Sequence, residues 1–125
     1  MKKAINISNA PKPIAPYSQA VLAGNTLYVS GQIPINPFNG ELVKDDIKKQ
    51  TEQVLENIRV ILKEAKMDFT NIVKASIFIS DMKFFAQVNE VYKGYFTNDP
   101  PARECIQAAK LPMNADVEIS VIAVK

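Results

Sequence analysis

Residues 46–66 carry the pattern that most restricts what this chain can fold into. Ile47, Val54, Leu55, Ile58, Ile61, Leu62 and Ala65 fall on a three-and-four spacing, which gathers them into one stripe of a helix. Such a stripe has to be buried against another element. Asp45 or Asp46 supplies the N-cap, placing negative charge where the helix dipole favours it. The period then changes. Over 72–80, Val73, Ala75, Ile77 and Ile79 alternate with Lys74, Ser76, Phe78 and Ser80, the signature of a strand with one core face.

The remaining elements follow from turn chemistry. A short strand is expected near 2–7, followed by a proline-stiffened segment from Asn9 to Pro16. Runs 19–23 and 26–30 flank Gly24-Asn25 and read as a hairpin with a two-residue turn. Asn39-Gly40 marks a further tight turn. Asp81 can cap a second helix over roughly 83–96, with Phe85, Val88, Val91 or Tyr92, and Tyr95 inward. Two last strands, about 102–110 and 116–124, surround Leu111-Pro112-Met113-Asn114. The order β-β-β-α-β-α-β-β predicts a single α+β domain over 1–125, two layers deep, with both helices on one face of the sheet. The other face carries Phe78, Ile122 and Val124, too apolar to stay wet, which predicts a homo-oligomer packed through its sheets.

Composition removes several chemistries. The 125 residues include no His and one Cys, which excludes Ser-His-Asp and Cys-His triads, His-ligated metals, intramolecular disulfides and thiolate zinc sites. Fifteen basic against thirteen acidic residues, net +2, is too balanced for an electrostatic nucleic-acid binder. No apolar run has the roughly 20 residues of a membrane-spanning helix. The free Cys and the absence of a long apolar stretch near Met1 give the expectation of a reducing cytoplasm, with no membrane partner.

The final strands hold the most informative polar residues. Alternation puts Arg103, Cys105, Gln107 and Ala109 on one side of the first, with Ile106 and Ala108 on the other. In the second, Val117, Ile119, Val121 and Ala123 oppose Glu118 and Ser120. Pairing the two strands by their apolar sets predicts that Arg103, Cys105, Glu118 and Ser120 share a face, with Cys105 opposite Glu118 or Ser120. A guanidinium binds a carboxylate through two parallel hydrogen bonds, and a nearby Glu can orient water or move a proton. Without His, an electrophilic substrate such as an imine beside a carboxylate fits. An Arg–Glu pair that merely ties subunits together fits the same residues.

Several ordered motifs resemble one family. Asn9-Ala10-Pro11, Ala15-Pro16-Tyr17-Ser18-Gln19-Ala20, Ser30-Gly31-Gln32-Ile33-Pro34 and Gly40-Glu41 come first. Gln53-Val54-Leu55-Glu56-Asn57-Ile58 and Val88-Asn89-Glu90-Val91-Tyr92 lie in the helices. Pro101-Ala102-Arg103, Leu111-Pro112, Val117-Glu118-Ile119 and Ile122-Ala123 close the chain. Across its whole length the sequence resembles the RidA branch of the Rid family, also known as YjgF and L-PSP.

The resemblance implies a chorismate-mutase-like fold, a homotrimer whose sheets form an inner barrel, and clefts between subunits. It implies a cofactor-free, metal-independent deaminase. The substrates are 2-imino acids made by pyridoxal-phosphate-dependent dehydratases (the 2-aminoacrylate/2-iminopropanoate and 2-iminobutanoate class), hydrolysed to 2-keto acids and ammonia. It implies that Arg103 binds the substrate carboxylate and that Glu118 helps to activate water. Backbone groups at Cys105 contact ligand or water, Tyr17, Ser30 and Gly31 line the cleft, and Asn89 is a motif residue of structural or cleft role. Two positions depart from the pattern: Ser120 replaces a second acid, and Pro100 replaces a common aromatic. The alternatives are a non-catalytic keto-acid-binding trimer and, less favoured by the charge balance, an endoribonuclease or translation inhibitor.

Overall fold

The computed structural model describes residues 1–44 and 46–125. Its elements are β1 (Lys2–Ile5), β2 (Ala20–Ala23), β3 (Thr26–Gln32), α1 (Ile47–Glu64), β4 (Ile72–Ile79), α2 (Phe85–Tyr92), β5 (Ala102–Gln107) and β6 (Val117–Val124). The expected order β-β-β-α-β-α-β-β is present. The strands form one mixed sheet in the order β1-β2-β3-β6-β4-β5. All neighbours are antiparallel except β4 and β5, which run parallel.

Local chemistry explains the elements. Asp46 caps α1 by accepting a hydrogen bond from the Lys49 N–H at 2.9 Å; Asp45, the alternative cap, lies outside the described residues. Every member of the predicted stripe of α1 is buried. Gly24 turns the β2–β3 hairpin with φ +60°, a conformation that costs glycine nothing. α1 packs over β3 and β6 and against α2. Between these helices and the sheet lie Leu27, Val29, Ala75, Ile77, Ile79, Val117, Ile119, Val121 and Ala123, all buried.

Four expectations need correction. Strands 102–110 and 116–124 do not pair; β4 lies between them, so no final hairpin exists. Val73 is 50% exposed rather than in the core, because the β4–β6 register slips between Ile72 and Lys74 and turns it outward. The second helix is shorter than 83–96: a 3₁₀ turn at Met82–Phe84, capped by Asp81, precedes α2, which ends at Tyr92. Within this region Val88, Tyr92 and Phe96 are buried, whereas Phe85 is exposed.

The face of the sheet away from the helices is partly covered at one end. Ile33, Ile35, Leu111 and Ala115 form a second buried cluster against the half-buried Phe78. Elsewhere this face shows Tyr28, Ile106 and Val124 to solvent. Lys74 and Glu104 pair across it at 3.0 Å, and the Ser76 hydroxyl donates to Glu104.

Two buried side chains tie the irregular segments down. Gln19 accepts from the Ile7 N–H at 2.7 Å, and its amide donates to the Ile7, Ala10 and Pro11 carbonyls at 3.0, 3.3 and 3.0 Å. Asn57 on α1 donates to the Ile35 carbonyl at 2.9 Å. Prolines 11, 13 and 16 lack N–H groups, so the arm cannot join a strand ladder and depends on such side-chain bonds. Gln19→Ala is expected to lower unfolding free energy by about 2–3 kcal/mol through stranded backbone groups. Gln19→Glu, nearly the same shape, should cost at least as much, because it turns a donor facing three carbonyls into an acceptor. Chemical denaturation at one fixed protein concentration checks both.

Candidate active site

Arg103 lies on β5, the edge strand, opposite Ala75 of β4. Residues opposite one another point to the same face, so Arg103 and Cys105 face the helices with the buried Ala75 and Ile77. The Arg103 Nη1 donates to Asn89 Oδ1 at 2.7 Å. Its guanidinium carbon lies 4.9 Å from the Tyr92 ring centre and 5.7 Å from that of Phe85. All three partners come from α2, one helical turn apart (85, 89, 92). The fork is therefore oriented before any ligand arrives. Among the described residues, Arg103 has no carboxylate partner.

Two neighbours respond to this placement. Burial pushes the Tyr92 hydroxyl up to about 12, against the lowering pull of the Arg103 charge. Burial also raises the Cys105 thiol, again opposed by Arg103. A thiol held protonated is a poor nucleophile, which agrees with a lining role for Cys105.

Glu118 lies on β6 opposite Phe78 of β4, on the other face of the sheet. The expected shared face for Arg103, Cys105, Glu118 and Ser120 is thus overturned. That grouping requires the two strands to pair and Ile106 to be core, whereas β4 separates the strands and Ile106 is 50% exposed on the open face. Register gives the separation. Two strand spacings of ~4.8 Å and three residues of ~3.3 Å put the Arg103 and Glu118 Cα atoms about 14 Å apart, with their side chains diverging. Ser120 faces Ser76, beside Glu104 and away from Arg103.

Glu118 has its own companions. A small cavity of about 180 Å³ is lined by Glu118, Gly31, Tyr17, Pro112 and the proline arm. The β3–β6 register shifts between Val29 and Gln32, bringing Gly31 against the carboxylate. A Cβ on Gly31 would lie 2.8 Å from Glu118 Cδ and closer still to Oε2, so only glycine leaves the carboxylate where it is. The Ser30 hydroxyl donates to the Ser18 carbonyl at 2.7 Å and the Ser30 N–H to Gln19 at 2.9 Å, which anchors the bulge. Burial raises the Glu118 carboxyl above the ordinary glutamate range.

The predicted residues therefore form two groups: Arg103 and Cys105 on β5 with Asn89 of α2, and Tyr17, Ser30, Gly31 and Glu118 beside the proline arm. Sequence reasoning missed Phe85 and Tyr92 as partners of Arg103; their helical spacing from Asn89 was the available signal. It also missed Pro112 as a wall of the Glu118 cavity. Among the described residues, no group of three or more His, Cys, Asp or Glu side chains could hold a metal ion, and no helix is long and apolar enough to cross a membrane.

A mixed six-stranded sheet with two helices on one face defines the class: a small two-layer α+β protein. A family profile described as Endoribonuclease L-PSP matches residues 7–125, and the chain belongs to that family, the Rid family. A RutC family protein of Pyrococcus horikoshii is 50% identical over 125 residues, covering 100% of this chain and 99% of the relative. A 2-iminobutanoate/2-iminopropanoate deaminase of Bos taurus is 46% identical over 125 residues, covering 100% and 91%. The crystal structure of a Rid family protein of unknown function from Yersinia pestis superposes with a TM-score of 0.97 at 48% identity, covering 100% of both chains.

The raised Glu118 pKa has a thermodynamic sign. The native state holds this proton more tightly than the unfolded chain, so stability falls as pH rises from the ordinary glutamate value through the native one. Glu118→Gln removes that loss. The variant is expected to be the more stable protein near neutral pH, with the advantage gone at or below about 4.3, the ordinary glutamate pKa. Denaturation midpoints across pH test this, and a constant difference would contradict it.

Proposed function

We propose that this protein hydrolyses 2-imino acids to 2-keto acids and ammonia, taking the 2-iminopropanoate/2-iminobutanoate class released by pyridoxal-phosphate-dependent dehydratases. The observation that carries this reading is the oriented Arg103 fork without a counter-ion. A half-buried cation is poorly solvated, and a substrate carboxylate supplies both the charge and the two acceptors its geometry suits. Identity of 46% to a named imine deaminase supports the same reading.

A protonated imine is electrophilic at carbon without further activation. What remains is to anchor the carboxylate and place a water. Water adds to the iminium carbon and gives a proton to Glu118. That proton passes to the nitrogen of the carbinolamine, the C–N bond breaks, ammonia leaves, and the hydroxyl gives its proton back to the Glu118 carboxylate as the keto group forms. A carboxyl raised by burial is a better base near neutral pH than an ordinary glutamate.

Arg103 and Glu118 of one chain cannot meet on one small substrate, since they lie on opposite faces about 14 Å apart. The site is then shared between copies, Arg103 from one and Glu118 from the next, as a cyclic homotrimer provides. The exposed Tyr28, Ile106 and Val124 on the open face are the apolar surface such an assembly would cover. The free Cys105 thiol is consistent with work in a reducing cytoplasm.

Arg103→Ala is expected to lower kcat/KM for dehydratase-generated imines about 100-fold, or roughly 3 kcal/mol. Asn89→Ala, which leaves the charge but frees the fork, should act mainly on KM. Mixing Arg103→Ala with Glu118→Gln subunits should restore about a quarter of the clefts at equal ratio, because a ring with head-to-tail contacts pairs intact halves at random. Absence of rescue would place both residues in one chain's site. Keto-acid binding by wild type without imine turnover would favour the binding-protein reading instead.

A further inference from the structure

Asn39-Gly40 takes no part in the candidate site, yet its chemistry sets it apart. The chain has ten asparagines, and only Asn39 is followed by glycine. The carbonyl carbon of an asparagine side chain is open to attack by the amide nitrogen of the next residue, and the bulk of that next residue is what usually prevents it. Asn6, Asn57 and Asn71 each precede Ile, whose branched Cβ crowds the approach. Asn36 precedes Pro37, which has no N–H to lose. Gly40 presents neither obstacle. It has no Cβ and a φ of +73°, and even a Cβ built on it would meet nothing within 4 Å.

The turn itself favours the reaction. Residues 38–40 are exposed, so water reaches them. The Glu41 N–H donates to Asn39 Oδ1 at 2.8 Å. That bond closes a ring containing both the Asn39 Cγ and the Gly40 nitrogen, which limits how far apart the two can move. It also places a donor at the oxygen that gains negative charge when Cγ is attacked. One bond opposes the reaction: the Gly40 N–H donates to the Asn36 carbonyl at 2.9 Å. The Asn36 Oδ1 accepts from the Phe38 N–H at 2.8 Å and stiffens the same turn. The Gly40 amide therefore has to leave Asn36 before it acts as a nucleophile.

We propose that Asn39 is a self-modifying site, which cyclises onto Gly40 and opens to isoaspartate, and that this product is the substrate of an isoaspartyl-methylating repair enzyme. The Gly40 nitrogen gives its proton to hydroxide and bonds to the Asn39 Cγ. The bond from Cγ to the side-chain nitrogen breaks, that nitrogen takes a proton from water and leaves as ammonia, and a succinimide ring remains. Water then adds to one of the two ring carbonyls. Opening at Cγ yields aspartate; opening at the main-chain carbonyl yields isoaspartate, in which the main chain runs on through Cβ and Cγ. Either product adds one carboxylate and lowers the net charge of +2 by one. Isoaspartate also lengthens the main chain by one atom between the bridged residues Ile35 and Leu42, beside the 2.7 Å bond from the Val43 N–H to the Pro34 carbonyl.

The test stores the purified full-length protein at neutral and at mildly alkaline pH and follows it by peptide mass mapping. Labelled S-adenosylmethionine with an isoaspartyl methyltransferase gives a second readout. Asn39 is expected to convert several-fold faster than any of the other nine asparagines, at a rate that rises with hydroxide concentration. Methyl label should accumulate in the peptide that contains it. Asn39→Gln should abolish that label, since the longer side chain would have to close a larger ring, and should fold normally because the position is exposed. Asn36→Ala removes the acceptor of the Phe38 N–H and should speed conversion several-fold. Conversion of Asn39 no faster than that of the other asparagines, or label that persists in Asn39→Gln, overturns the proposal. Conversion to aspartate alone, without methyl label, overturns the part that names a repair enzyme. A rate unchanged or lowered by Asn36→Ala overturns the role given to the turn.

Discussion

The parallel step from β4 through α2 to β5 is the constraint on which most of the structure depends. Parallel neighbours cannot be joined by a tight turn, so the chain must leave the sheet, cross over it and return. Here the crossing element is α2, and the returning strand lies beside β4 at the sheet edge. A side chain of β5 that points toward the helices meets α2 and is only partly covered, which is where Arg103 is found. In a central strand the same residue would be buried beneath α1 with no route for a ligand. The aromatic and amide groups around the guanidinium come from the very helix that makes the crossing possible.

The other half of the candidate site depends on buried hydrogen bonds rather than topology. Gln19 holds the proline arm against the start of the sheet, and Asn57 reaches from α1 to the loop after β3. These brackets let an irregular segment form cavity walls without a ladder of its own. They also let the second apolar cluster, around Ile33, Ile35 and Phe78, form on the open face. The sheet is thus covered at one end and bare at the other, and Glu118 lies at the covered end.

The strongly patterned elements were legible in the sequence. The stripe of α1, the Gly24 hairpin and the core set of β6 each follow from a period that packing leaves little freedom to violate. The face of β5 was not. Between 102 and 107 the apolar residues are Ala102, Cys105 and Ile106, too few and too similar in burial preference to fix parity, and an edge strand need not bury its larger member. The structure turns Cys105 toward the helices and leaves Ile106 outside. Strand pairing failed for the same reason: adjacency in sequence suggests a hairpin, but a lone interior strand can come between. Val73 was misread because a bulge carries no periodic signal. The site residues themselves came from ordered motifs whose meaning is a resemblance; alternation alone gave a plausible but incorrect grouping.

Gly31 and Glu118 describe one volume occupied from two places in the chain. The carboxylate fills the space that a side chain at position 31 would take. Any L-residue at 31 competes for that space, and shortening the acid would enlarge the cavity that both residues line. The pair is therefore coupled as a lock is to its key blank, and variation at either position is readable only with its counterpart. A side chain at position 31 would have to push the flexible end of Glu118 aside, so changes at the two positions are coupled through packing as well as through what the carboxylate does chemically.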